Sequence, residues 1–340
     1  MKIIIKVITF VGLFFIVQVK STSPMTFNHL IDSSMVLLVE QNYQTAKDLI
    51  KKSLKKDPQN IDALYMQLTI IQTELLDYES YTLSGYQFFS LANDLIDLLK
   101  RKEKNSKSEQ KAKILFYMGN VYGGKGLISA KIGKWMPAVS DALTSVSLLE
   151  KAKKLDPTLY AAYLGLGVFN YYLSQNLKWV PFLGDKTKEG IEAIETATKA
   201  KFPFNYAAQN TLAWILIEQN QYKRAETIVD EVLEDYPDNT IFLRIKARLA
   251  LWTQRYEQGI NIGNKLISIS IKRDPVNWSD LLSATQLICE CYLQQDKSEL
   301  AKEFAQKTIN RYEIPVNEMK IPYVKKYYAY INLLAEGKTD

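Results

Sequence analysis

The chain has 340 residues, 47% of them hydrophobic, which is enough for a continuous core and excludes intrinsic disorder. Lys and Arg number 43 and Asp and Glu 37, a formal charge of +6; Lys2, Lys6 and Lys20 carry three of these charges, and the about +3 left is too weak to select nucleic acid. One histidine, His29, and two cysteines, Cys289 and Cys291, exclude zinc fingers, iron–sulfur sites, His-based triads in the body of the chain and a disulfide-stapled scaffold.

Residues 1–23, MKIIIKVITFVGLFFIVQVKSTS, are predicted to be a signal peptide. Lys2 and Lys6 give a basic start, Val7 to Val19 is apolar apart from Gln18, and Ser21, Thr22 and Ser23 supply small polar residues. A spanning helix takes roughly 20 apolar residues, so the run is short for a permanent anchor. Cleavage near Ser21 to Pro24 would leave a periplasmic or secreted protein. The alternative is an uncleaved N-terminal anchor, because Lys20 and Pro24 make the cleavage site imperfect.

From Phe27 onward apolar residues recur at intervals of three and four, glycine is sparse, and nothing reads as a strand. Tyr43, Ala46, Ile50, Ser53 and Pro58 are separated by 3, 4, 3 and 5 residues. Tyr222, Ala225, Val229, Val232 and Pro237 repeat those intervals, and Tyr256, Gly259, Gly263 and Leu266 give 3, 4 and 3 again, 34 residues after Tyr222. Half-matching patterns appear as Met118-Gly119 with Tyr122, Leu212-Ala213 with Leu216, and Ile288-Cys289 with Tyr292. The approximate units are 27–60, 61–100, 112–157, 160–202, 206–239, 240–273 and 282–315, with a cap at 320–336. Two units are long. In 112–157 the second helix is expected to be delayed by an insertion at 123–135, and in 160–202 an insertion is expected at 177–186. Cys289 and Cys291 lie two apart on a predicted helix and so project about 200° apart, as separate buried residues.

This pattern resembles the tetratricopeptide repeat (TPR), a 34-residue helix–turn–helix in which small residues let antiparallel helices approach and a proline ends the second helix. The resemblance implies an all-α, right-handed solenoid of antiparallel helix pairs over 24–340, with two expanded repeats and a C-terminal capping helix. The central portion is also similar to exported bacterial TPR proteins of unassigned function, through Tyr117-Met118-Gly119-Asn120, LLEKAKKLDPTLYAAYLGLGVFNYY and NYAAQNTLAWILIEQNQYKRAE.

Gly123, Gly124 and Gly126 before Gly133-Lys134 invite a phosphate-loop reading. No GxxxxGK[ST] match exists, and Trp135 stands where Ser or Thr belongs. A widened inter-helix loop is expected instead. The acidic sets Glu189, Glu192, Glu195 and Asp230, Glu231, Glu234, Asp235 fall at helical spacings and read as solvated faces. The resemblance implies a concave groove lined by first helices, which puts Phe116, Asn120, Tyr171, Tyr172, Asn210, Trp214, Arg244, Arg248, Trp252, Gln286 and Glu290 on it. Some of these, Tyr171 and Trp214 above all, have packing between repeats as the competing role. Arg244 and Arg248, four apart, are placed to grip a ligand carboxylate. In the second insertion Trp179 and Phe182 either fold back on the neighbouring repeat or touch a partner or a membrane surface.

These features point to a non-catalytic exported scaffold binding a protein or peptide partner in its groove, plausibly in a cell-envelope assembly, with no cofactor and no nucleic acid. The alternative is a small-ligand receptor or enzyme whose site is built from the insertions at 123–135 and 177–186.

Overall fold

The computed structural model describes residues 29–176, 185–200 and 204–338. The predicted signal peptide and the loop residues Trp179 and Phe182 lie outside the described residues. Among the described residues there are fifteen α-helices, one short 3-10 turn at Glu318–Lys320 and no strand. The helices are α1 His29–Val39, α2 Tyr43–Lys56, α3 Ile61–Asp77, α4 Tyr81–Glu103, α5 Ser108–Lys131, α6 Trp135–Leu155, α7 Ala162–Asn176 and α8 Thr187–Ala197. They continue with α9 Phe204–Glu218, α10 Tyr222–Asp235, α11 Thr240–Trp252, α12 Tyr256–Ser270, α13 Trp278–Leu293, α14 Ser298–Arg311 and α15 Pro322–Ala335. The all-α, TPR-like architecture that the resemblance implies is the one observed among the described residues. No helix among the described residues is long and apolar enough to cross a membrane.

The recurring intervals mark the buried stripes of second helices. Tyr43, Ala46, Ile50 and Ser53 are buried on α2, Ala225, Val229 and Val232 on α10, and Gly259, Gly263 and Leu266 on α12. Helix ends follow local chemistry. Asn42, Asn60, Asn239 and Asn277 accept backbone N–H bonds at helix starts, satisfying donors the helix itself cannot. Asp57 and Asp156, each followed by proline, close α2 and α6.

One turn geometry recurs where a first helix passes to its second. Gln41, Glu79, Gly133, Asn220, Gln254 and Asp296 all have φ between 54° and 79°, and each stands two residues before its second helix begins. In five of them the next N–H bonds a carbonyl five residues back: Asn42 to Leu37, Lys134 to Ser129, Gln221 to Leu216, Arg255 to Ala250 and Lys297 to Tyr292. This left-handed residue with its wide bond is the Schellman close of a helix.

The expected insertion at 123–135 is not a loop. Gly123, Gly124 and Gly126 are helical within α5, and only Ile132 to Lys134 make the turn, with Gly133 at φ 79°. A side chain at Gly124 would run into Gln72 and Phe88, so the glycines serve close helix packing rather than a phosphate cradle. Glycine lowers helix propensity locally, but tertiary contact decides the conformation here.

The chain divides into two compact parts. One holds the described residues up to Leu76 together with Ser84–Ile215, the other Asp77–Leu83 with Leu216 onward. In the first, α1 packs on α2, α5 on α6, α6 on α7 and α7 on α8. In the second, α10 to α15 pack in sequence, with α13 also touching α11 and α15. The end of the second part is a core of Leu281, Leu282, Cys289, Ala301, Ala305, Ile321, Val324, Ile331 and Leu334. Cys289 and Cys291 are separate, buried and free, and burial pushes their thiols up to about 12 and about 11.

Candidate partner-binding face

In the second part the first helices α11 and α13 and the last helix α15 lie side by side. Arg244, Arg248 and Trp252 follow one another on α11 at intervals of four, a single helix face. Opposite them α13 supplies Asp280, Gln286 and Glu290, and α15 supplies Tyr323, Tyr327 and Tyr330.

One end of this face is occupied by the chain itself. Segment 77–83, the last residue of α3, the turn 78–80 and the start of α4, belongs to this part. Asp77 is fully buried, with Arg244 Nη2 at 3.1 Å from its Oδ1 and Arg273 Nη1 at 2.8 Å from its Oδ2. Arg244 Nη1 also meets Oδ1 of the equally buried Asp280 at 2.7 Å. The Asn277 side-chain amide donates to the Asp77 carbonyl at 3.1 Å, and its Oδ1 accepts from the Asp280 N–H. The Arg273 guanidinium lies 4.6 Å from the Tyr78 ring centroid, and the Tyr78 hydroxyl donates to the Pro275 carbonyl. Tyr81 stands edge-on to Tyr323 at 6.3 Å, and its hydroxyl donates to Glu79. Two buried carboxylates facing two guanidiniums balance in charge, which is what makes the burial tolerable. Burial raises the Asp280 carboxyl above the ordinary carboxylate value, Arg244 and Arg273 oppose the shift, and Asp77 adds to it.

The other end stays accessible. Arg248 Nη1 pairs with Glu290 Oε2 at 2.8 Å, both about one quarter exposed, and the Gln286 amide donates to the second Glu290 oxygen. Trp252 is 44% exposed. Tyr327 and Tyr330 are half-buried; burial raises both hydroxyls, with Arg248 opposing the shift in each.

The other expected groove residues are placed differently. Phe116 and Asn120 are buried in the packing of α5 against α3. There Tyr65 stacks on Tyr117 at 4.0 Å, Asn120 donates to the Tyr65 hydroxyl, and Tyr117 donates to Asp62, which also pairs with Lys113. Tyr171 and Tyr172 are buried edge-to-face at 5.0 Å, and Asn210 is buried. These five are therefore packing residues rather than open contacts. Trp214 is half-buried. Arg244, expected to grip a ligand, instead grips carboxylates of its own chain.

In the first part a cleft of about 490 Å³ lies among α6, α7 and α8, lined by residues that include Val146, Glu150, Lys153, Tyr163, Asn170 and Glu189. None of its lining residues comes from 123–135. No group of His, Cys, Asp and Glu among the described residues is arranged to hold a metal ion.

Antiparallel helix pairs joined by one recurring turn, each second helix burying a small-residue stripe, define a helical-repeat protein. The tetratricopeptide repeat family model matches residues 186–260, from just before α8 into the first turn of α12. Residues 186–260 are thus similar to tetratricopeptide repeats. Among solved structures the chain is similar to the yeast Tom70 crystal structure, at 12% identity, 92% of this chain, 90% of that chain and a TM-score of 0.37. It is also similar to the P58(IPK) TPR domain, at 14% identity, 92% of this chain, 98% of that chain and a TM-score of 0.25. No curated protein matches the sequence.

Proposed function

We propose that the protein is a non-catalytic scaffold that holds a protein or peptide partner on the α11–α13–α15 face, outside the inner membrane in a cell-envelope assembly. Tetratricopeptide repeats in general mediate protein–protein contact. The observation that carries the reading is segment 77–83. An acidic turn with its two flanking helix ends is already held by guanidiniums and a tyrosine, which is the chemistry a peptide partner would meet further along. Trp252, Arg248, Tyr327 and Tyr330 continue the face as aromatic and Arg groups of the kind that anchor interfaces.

The test compares what the wild-type protein and Trp252→Ala retain from the cell that makes them. The scaffold reading expects a defined protein held by the first and released by the variant, with both equally helical. An identical retained set from both would contradict it. Export rests on the Lys2/Lys6 start and the Val7–Val19 apolar run. Full-length protein found in the cytoplasm by fractionation would overturn that part alone.

A further inference from the structure

Helix α6 is apolar on two opposite faces. One face, Ala138, Ser145, Leu149 and Ala152, is buried. Met136, Val139 and Leu143 fall at i, i+3 and i+7 on the other and are 83%, 52% and 55% exposed. Single exposed apolar residues are ordinary, but three aligned over two turns form a contiguous stripe. Polar Ser140 and Ser147 flank it. Lys131 and Lys134 stand before its N-terminal end beside half-buried Trp135, and beyond Leu143 the one acid Glu150 is followed by Lys151, Lys153 and Lys154. The nearby acid Asp141 points away from the stripe and pairs loosely with Lys125 at 3.9 Å.

We propose that the N-terminal half of α6 docks on an anionic lipid surface. Apolar side chains flanked by lysines and an indole match the boundary between headgroups and acyl chains, where ammonium groups meet lipid phosphates. A flat partner suits a stripe on a single helix, and the lysines select a negative one. This reading is independent of the α11–α13–α15 face, which supplies none of these residues.

The test uses the full chain with Met136→Cys carrying an environment-sensitive fluorophore. The native thiols are buried and raised in pKa, so the label goes to position 136. The same label at exposed Lys223→Cys on α10 serves as control. With vesicles of equal phosphatidylglycerol and phosphatidylcholine, the label at 136 should shift to the blue and be quenched by brominated acyl chains, while the control does not change. Pure phosphatidylcholine should give little response. Lys131→Glu with Lys134→Glu should raise the lipid needed for half-maximal shift by tenfold or more, given roughly a fivefold loss per lysine removed from such a surface. A label at 136 that stays at its aqueous value overturns the proposal, even where the chain sediments with vesicles through residues 7–19. A response equal on neutral vesicles overturns the charge argument. A blue shift without lipid that grows with protein concentration assigns the stripe to a second copy of the chain. If Met136→Cys perturbs the helical spectrum, Val139→Cys carries the same label and the same expectations.

Discussion

Arg244 and Arg248 sit one turn apart on α11, and their losses should differ sharply. Arg244 meets two carboxylates that have no exposure, so Arg244→Ala takes from Asp280 its direct ion-pair partner and from Asp77 one of the two guanidiniums that meet it. Removing one partner of a buried charge set costs on the order of 3–5 kcal/mol. The Arg248–Glu290 pair is partly solvated, and Arg248→Ala should cost about 1 kcal/mol or less. Denaturant midpoints of the two variants test this, and equal midpoints would show that the Asp77 cluster is not under strain of burial. The sequence made Arg244 legible as a carboxylate grip. It hid whose carboxylate, because Asp77 lies 167 positions away and no local spacing connects them. One trace was readable: Asp280 stands within the apolar run WSDLLSATQLI, where an acid needs a buried partner. Phe116 and Tyr171 misled for a related reason. An aromatic on a first helix has the same periodicity whether it faces a groove or a neighbouring helix.

At the level of elements, periodicity exposed the second helices well, since Ala46, Ile50, Ala225 and Val229 must be small or apolar to pack. The recurring turn stayed hidden because its left-handed position is filled by Gln, Glu, Gly, Asn, Gln and Asp in turn. Side-chain identity matters little there, as the wide bond back across the turn holds the geometry. A non-glycine residue at positive φ nonetheless carries backbone strain. Gln254 is exposed at φ 61°, so Gln254→Gly should stabilise the protein by about 0.5–1 kcal/mol even though glycine also frees the unfolded chain. A lowered melting temperature would show that the turn is relaxed as it stands. The same element-scale reasoning applies to the glycines of α5: three in four positions resemble a loop in sequence, but Gly124 lies against Gln72 and Phe88 and Gly126 against the backbone of α6.

For the molecule as a whole, repeat architecture makes stability a sum of local terms and neighbour interfaces. Helix α15 gives Val324, Ile331 and Leu334 to the core that also holds Leu281 and Cys289 of α13 and Ala301 of α14. Ending the chain before Tyr323 should therefore strip hydrogen-exchange protection from α13 and α14 while α1 and α2 keep theirs. A uniform loss would mean that the chain unfolds as one cooperative block. That a further helix follows the repeats was readable from the apolar spacing of 323–335. Its tyrosine ladder was not, because Tyr323, Tyr327 and Tyr330 gain a role only beside α11 and α13.

The central claim is that the face built by α11, α13 and α15 receives a protein partner. A photo-crosslinking amino acid placed at Trp252 and at Tyr330, with a control at Lys223 on the second helix α10, tests it in the living cell. The account predicts one discrete protein adduct from positions 252 and 330 and none from 223. Adducts from 223 with none from 252 or 330 would contradict it.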